Sequence, residues 1–414
     1  MAQPVNVLYM SYDGMTDPLG QSQVIPYIKG LSKLGYRFTL ISFEKQDRYE
    51  KFGAGIARLL QDNNIEWHPL SYTKKPPVLS TVYDAWRLRR LAFKLHAQKR
   101  FSIVHCRSYI SALVGLAMKK KYGTRFLFDM RGFYADERVD GGLWNLSSPL
   151  YKTVYDFFKR KEVEFLTHAD YTISLTENGK GVIHSWQHIP NQPVPIQVIP
   201  CCADLDKFSP QNVDHAKLNE LKKQLGIADS DYVMSYLGSV GTWYMLDEML
   251  DFFKCLLEKK PNAKFLFITN EPPSLILDKA TEKQIATDRF IITPAPSPLV
   301  PTYLSLSAIS FFFIKPVFSK RASSPTKQGE IMGMGIPHIC NGGVGDVDEI
   351  VKDTNAGFMV EDFTIEAYYK TIDKMLATSI NPDEIRQGAF KYYSLTKGVD
   401  NYNAVYCKLL AKTT

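Results

Sequence analysis

The chain has 414 residues, 45% of them hydrophobic and 22% charged. That balance excludes wholesale disorder, and the length calls for two or three domains rather than one core. The net charge is +7 and unevenly placed. Residues 1–205 hold 27 Lys and Arg against 18 Asp and Glu, and the remainder 23 against 25. The basic excess of the first half points to an anionic partner.

No apolar run reaches the roughly 18–20 residues of a membrane span. Ser111–Met118 and Ala308–Ile314 read instead as core. The opening MAQPVNVLYMSYDG has no basic region and meets Asp13 at once, unlike a signal peptide. Six cysteines show no CxxC spacing. That argues against zinc knuckles and thioredoxin-like chemistry and fits a reducing cytoplasm.

In chain order, Val5–Met10 reads as a strand, followed by a loop with Gly14 and Gly20. Ile25, Ile28, Leu31 and Leu34 then recur at helical spacing until Gly35, and Phe38–Phe43 is the next strand. Strand, glycine loop, helix, strand is the opening of a doubly wound parallel sheet. Ile103–Cys106, Phe126–Asp129, Tyr171–Leu175 and Gln197–Pro200 continue it. Residues 203–230 are polar and read as a connector.

The grammar restarts at Tyr232–Leu237, with the glycine loop Gly238–Thr242 and a helix over Met245–Leu257. Strands at Lys264–Thr269, Phe290–Thr293, Ala308–Ile314 and Pro337–Cys340 follow, then helices around Ile365–Thr378 and Gly398–Leu410. The pattern is α/β, with two Rossmann-like domains in tandem.

The stretch Ser324-Pro325-Thr326-Lys327-Gln328-Gly329-Glu330 carries the most chemistry. Ser324 or Thr326 can cap a helix, and Pro325 suits its first turn. A helix N-terminus beside Lys327 is an anion site, and Glu330, one turn in, can accept two hydroxyls of a ribose. By itself, a capped helix with a solvated Lys–Glu pair is the alternative. The Gly-rich run from Gly335 to Val351 lets backbone amides approach a ligand, or forms a turn.

The pattern SPTK..E.M.MGIPHICNGGVGDVDEIV resembles the donor-binding signature of family 4 glycosyltransferases. IPCCADLDKF (Ile199–Phe208) resembles the family's hinge segment, and LGSVGTWY (Leu237–Tyr244) its second-domain phosphate loop. Asp13–Tyr36 and Phe128–Trp144 resemble N-domain motifs of a bacterial branch, and Tyr393–Tyr406 the helix that crosses back to the first domain. The resemblance implies a GT-B fold with two parallel sheets facing across a cleft. It places an acceptor domain at 1–205, with 394–414 packing back on it, and a donor domain at 206–393. It implies retaining transfer from a nucleoside-diphosphate sugar to a glycan or lipid-linked acceptor in bacterial surface glycan synthesis, without metal or other cofactor.

Site residues follow from it. Gly20, Gln21, Gly238, Ser239, Thr242, Ser324, Pro325, Thr326, Lys327 and Glu330 are expected at the donor. Asp129 and Arg131, after the Phe126–Phe128 strand, stand where the family often has a His facing the transferred sugar. With Lys327 and Glu330 they are the candidate catalytic residues. Structural pairing of Asp129 with Arg131 or Arg138 is the alternative. Asp136, Arg138 and His105 are candidates for the acceptor.

Two departures stand out. The first Glu of the family's E-x7-E pair would fall at Ala322. The phosphate loop lacks Arg and Lys, so Lys327 is expected to neutralise the diphosphate, with Lys320 and Arg321 as alternatives. A catalytically inactive GT-B scaffold subunit and a nucleotide-sugar epimerase are therefore competing readings.

Arg87, Arg89, Arg90 and Lys94 interleave with Trp86, Leu88, Leu91, Phe93 and Leu95. Such a basic amphipathic helix suits the inner face of an anionic cytoplasmic membrane, or a solvated helix whose apolar stripe faces the core. No nucleic-acid module appears, and the second half is acidic.

Overall fold

The computed structural model describes residues 4–411, which form two compact units. The first contains the described residues up to Pro200 and from Leu395 on, and the second is Cys201–Ser394.

In the first unit the strands are β1 (Val5–Ser11), β2 (Tyr36–Glu44), β3 (Glu66–Ser71), β4 (Ile103–Arg107), β5 (Arg125–Asp129), β6 (Tyr171–Ser174) and β7 (Ile196–Val198). They pair in parallel in the order β3-β2-β1-β4-β5-β6-β7. The order reverses between β1 and β4, the place where such sheets bind ligands at their C-terminal edge. β1, β2 and β4 are buried on both faces, which explains their continuous apolar runs. β3, EWHPLS, was not anticipated. It is an edge strand, only half buried, and Pro69 interrupts its pattern.

The helix expected from Val24 is Ile25–Ser32, and a separate short helix, Pro18–Gln23, lies in the expected glycine loop before it. Pro26 offers no N–H to the preceding turn, so the chain breaks at Val24. Gly20 packs against the loop before it. A Cβ there would lie 2.2 Å from the Gly14 carbonyl oxygen, so only glycine fits. The same loop hangs on buried Glu44 at the end of β2. Its carboxylate accepts from the Met15 and Thr16 amides at 2.8 and 3.0 Å, and from the Thr16 and Ser42 hydroxyls at 2.5 Å each.

The terminal helix Leu395–Ala411 belongs to the first unit, although the chain reaches it through the second. Gly30 lets it approach closely, since a Cβ there would meet Val399 at 2.6 Å. Tyr402 and Tyr406 lie edge-on to Tyr27 and Tyr36.

In the second unit the strands are β8 (Tyr232–Leu237), β9 (Ala263–Ile268), β10 (Phe290–Thr293), β11 (Ile309–Phe312), β12 (His338–Asn341) and β13 (Gly357–Val360). They are parallel in the order β10-β9-β8-β11-β12-β13, with the switch point between β8 and β11. Phe252, Phe253, Phe265, Phe267, Phe311 and Phe313 fill the core between sheet and helices. The polar stretch 203–230 is not a bare connector. It contains the helix His215–Gln224, capped by Asp214, and folds with the second unit.

Candidate functional site

In the second unit, the helix Thr326–Gly333 starts directly after Pro325, with no side-chain cap. This corrects the capping expected of Ser324 or Thr326. The Ser324 hydroxyl instead accepts from the Cys201 amide at 3.1 Å, fastening the Cys201–Cys202 segment to the helix start. The helix is held from behind by a buried chain. The Tyr393 hydroxyl donates to Gln328 Oε1 at 2.7 Å, and Gln328 Nε2 lies 3.2 Å from His338 Nε2.

Lys327 points inward and is buried. Its ammonium donates to the Tyr236 hydroxyl at 3.0 Å and lies 4.2 Å from the Tyr236 ring centre and 3.7 Å from that of Tyr244. The Tyr236 hydroxyl in turn donates to the Ser239 carbonyl at 2.5 Å, so one residue of β8 ties the glycine loop to the lysine. The Gly238 backbone is the near wall, since a Cβ there would sit 3.4 Å from Lys327 Nζ. Gly238, Gly241 and Thr242 all adopt positive φ, at 115°, 143° and 35°. That favours glycine at the first two and strains Thr242.

Burial lowers Lys327 to about 7, although nearby Glu330 pulls it upward. Burial likewise raises Glu330 to about 7 against the pull of Lys207 and Lys327. Lys207 of the hinge motif is the neighbour the sequence did not single out. Glu330 thus feels the charge of two lysines, one from its own helix and one from the hinge motif. Ala322 is buried, so the position of the absent glutamate is filled by a methyl group.

Ser239 and Thr242 are exposed on the loop. A cavity of about 310 Å³ opens beside Gly241, Thr242, Tyr244, Lys279 and Lys315. Neither Lys327 nor Glu330 is among the residues lining it.

In the first unit, the β4–β5 register sets Arg107 beside Asp129. Asp129 is buried, and its Oδ2 accepts from the Tyr402 hydroxyl at 3.0 Å and lies 3.3 Å from His105 Nε2. Arg131 lies 3.8 Å from Oδ1, which accepts no hydrogen bond. Burial alone would raise the Asp129 carboxyl, but Arg131, His105 and Arg107 outweigh it and hold it at about 2. Arg131 reaches this place from a left-handed backbone, φ 61°. The structure therefore brings Asp129 and Arg131 together as an ion pair.

The acceptor candidates separate. His105 is buried, with Nδ1 2.7 Å from the Tyr406 hydroxyl and Nε2 turned to Asp129. Neither nitrogen is left for an acceptor, so His105 orients Asp129 instead. Asp136 accepts from the Tyr155 hydroxyl and from Lys159 at 2.9 Å each. It ties its helix to Pro149–His168 through a network with Glu162 and Tyr109. Arg138 stacks on Tyr134 and keeps part of its surface open. Gly20 serves backbone packing, and the Gln21 side-chain Nε2 donates to the Thr16 carbonyl at 3.0 Å.

The basic helix spans Leu79–Lys99. Leu88, Ala92 and Leu95 face the core, while Leu79, Val82, Tyr83 and Trp86 are exposed at i, i+3, i+4 and i+7. Arg90 covers Trp86, and Arg89 covers Phe93. Arg87 is committed to Asp84 and to the Ser71 carbonyl. Asp84 itself is wholly buried, and accepts also from the Tyr12 hydroxyl and from Thr73. Among the described residues no helix is long and apolar enough to cross a membrane.

Residues 22–207 match the model for Glycosyltransferase Family 4, and residues 218–392 that for Glycosyl transferases group 1. The comparison with curated proteins found no match. Among solved structures, a glycosyltransferase from Rickettsia africae is similar over 100% of both chains, with 16% identity and a TM-score of 0.73. Sucrose-phosphate synthase from Thermosynechococcus elongatus covers 99% of this chain and 100% of its own, with 14% identity and a TM-score of 0.73. Anabaena HepE in complex with UDP-glucose covers 97% of this chain and 99% of its own, with 12% identity and a TM-score of 0.68. Both halves match in chain order, and both sheets have the Rossmann strand order. The chain therefore belongs to the family 4 glycosyltransferases and is a glycosyltransferase of the GT-B fold.

Proposed function

We propose that the chain retains anomeric configuration while moving a sugar from a nucleoside-diphosphate sugar to a glycan or lipid-linked acceptor, in bacterial surface glycan synthesis. The supporting observation is the buried Lys327 ammonium at a helix start, walled by the Gly238 loop, with Glu330 one turn on. The solved relative HepE holds UDP-glucose, which supports a nucleotide-sugar donor. In this reading Lys327 and the helix amides stabilise charge as the diphosphate leaves. Glu330 accepts the ribose hydroxyls. Asp129, ionised and oriented by Tyr402 and His105, stabilises positive charge at the anomeric carbon. No residue is required as a covalent nucleophile or a metal ligand.

A thermal-shift screen of nucleotide sugars tests the donor. A ligand at a hundred times its Kd adds about 2.7 kcal/mol of stability. Nuclear magnetic resonance of the product anomer tests retention, and an inverted product refutes it.

Donor binding should depend on pH with a defined sign. An arriving diphosphate favours the Lys327 ammonium, and the ribose hydroxyls favour the Glu330 carboxylate. Both groups titrate near 7, so binding takes up protons above that pH and releases them below it. Affinity should be highest near 7 and fall on either side. Titration calorimetry in two buffers of different ionisation enthalpy measures the exchange. Proton release on binding above pH 7 contradicts the assignment of Lys327.

The exposed stripe of the Leu79–Lys99 helix supports docking on the inner face of an anionic membrane. Each basic residue near such a surface contributes about 1 kcal/mol. Replacing Arg89, Arg90 and Lys94 by Gln should therefore weaken co-sedimentation with phosphatidylglycerol-containing vesicles by about a hundredfold. Unchanged co-sedimentation removes this localisation.

A further inference from the structure

The terminal helix Leu395–Ala411 places two buried tyrosines in the polar group at the ends of β4 and β5. The Tyr402 hydroxyl donates to Asp129 Oδ2 at 3.0 Å. Tyr406 meets His105 instead, its hydroxyl 2.7 Å from Nδ1. The imidazole also packs against the rings of Tyr9 and Tyr402, with centres 4.3 and 5.4 Å away. Bonded at both nitrogens and packed on two rings, it has one orientation.

This network fixes where the imidazole proton sits. Asp129 is ionised, so its Oδ2 can only accept, and His105 Nε2 at 3.3 Å carries the hydrogen. Burial lowers His105 below the usual histidine range, with Asp129 opposing and Arg107 and Arg131 assisting. The ring is therefore neutral, its Nδ1 is an acceptor, and the Tyr406 hydroxyl is the donor. Burial holds the phenols of Tyr9, Tyr402 and Tyr406 in their protonated form, and Arg107 pairs with Asp13.

A neutral imidazole steadies Asp129 without adding charge. An imidazolium would put a positive charge beside the place where the departing sugar develops its own, and so oppose the transition state. A proton on Nδ1 would displace the hydrogen bond from Tyr406, so that bond favours the neutral ring.

We propose that Tyr406 is a positioning residue for sugar transfer: by donating to Nδ1 it keeps His105 neutral, with Nε2–H held on Asp129, so that no cation forms on the imidazole beside the reacting sugar. This rests on the role of Asp129 proposed above.

The test is Tyr406→Phe, which keeps the buried ring and removes the hydroxyl. Two readouts are taken on the full chain. One is nitrogen NMR of labelled histidine, with His105→Gln to assign the resonance. The other is nucleoside-diphosphate release from the donor found by the nucleotide-sugar screen. In the parent, His105 should stay neutral, with hydrogen on Nε2, between about pH 6 and about pH 8.5. In Tyr406→Phe it should take up a proton across that range. Its kcat should then be about tenfold lower at about pH 6 and close to the parent at about pH 8.5, with KM for the donor unmoved. A histidine that titrates as in the parent overturns the proposal. So does an equal loss of kcat at every pH, the mark of a merely structural role. With Asp129→Asn inactive, either result leaves the reading of Asp129 standing. Asp129→Asn as active as the parent, or a parent that turns over no donor, overturns that reading and the proposal with it.

Discussion

Lys327→Ala is expected to lower turnover by about a hundred- to a thousandfold, the effect of removing one donor aimed at developing charge in a dry site. The loss should appear in kcat as well as in KM, because the leaving diphosphate gains charge in the transition state. Lys327→Arg should not restore it. The ammonium lies against two tyrosine rings and the Gly238 backbone, where a planar guanidinium has no room to form its fork. Steady-state kinetics with the donor found by the nucleotide-sugar screen would measure both variants. Parent-like kcat in Lys327→Ala would show that diphosphate departure is assisted from elsewhere.

The largest effect on stability is expected from Glu44→Ala. The change strips four hydrogen bonds from the Met15 and Thr16 amides and the Thr16 and Ser42 hydroxyls, in a place no water reaches freely. Buried donors left without partners cost roughly 1–3 kcal/mol each, and partial relaxation leaves an expected loss of about 3–5 kcal/mol. At 2–4 °C per kcal/mol for a unit of this size, the melting temperature of the first unit should fall by roughly 6–20 °C. Glu44→Gln should recover part of the loss, because its amide keeps one acceptor oxygen of two. Calorimetric melting of the three proteins checks this. A melt within 1–2 °C of the parent would mean that the Gly14–Gly20 loop does not need this anchor.

Much of the fold was legible because buried parallel strands leave continuous apolar runs. β8 and β10 coincide with the predicted segments, and β1, β2, β4, β5 and β9 differ only at their ends. The elements that escaped lie where burial is thin. β3 is an edge strand broken by Pro69, and β13 is four residues at the opposite sheet's edge. Ile25–Leu34 showed its helix by apolar period, whereas the short helix Pro18–Gln23 before it has too few apolar residues to register. For the site, residue type and spacing pointed to Lys327 and Glu330 but could not tell a solvated pair from a buried one. Tyr244 and Lys207 lay inside motifs the sequence displayed, but nothing local paired them, or Tyr236, with Lys327 and Glu330.

The uneven charge and the two repeats of strand, glycine loop and helix follow from the sequence alone, because composition and period are local properties. So do the family and the absence of cations from the phosphate loop. Tertiary structure decided which charges are spent. Lys159 and Asp136 tie helices together, Asp84 disappears into the core, and Arg87 pairs with it from the half-buried edge. It also decided that Lys320 and Lys327 rest on the rings of Trp243 and Tyr244. A charge acquires its function from what surrounds it. Those surroundings come from chain segments up to 301 residues apart, as between His105 and Tyr406.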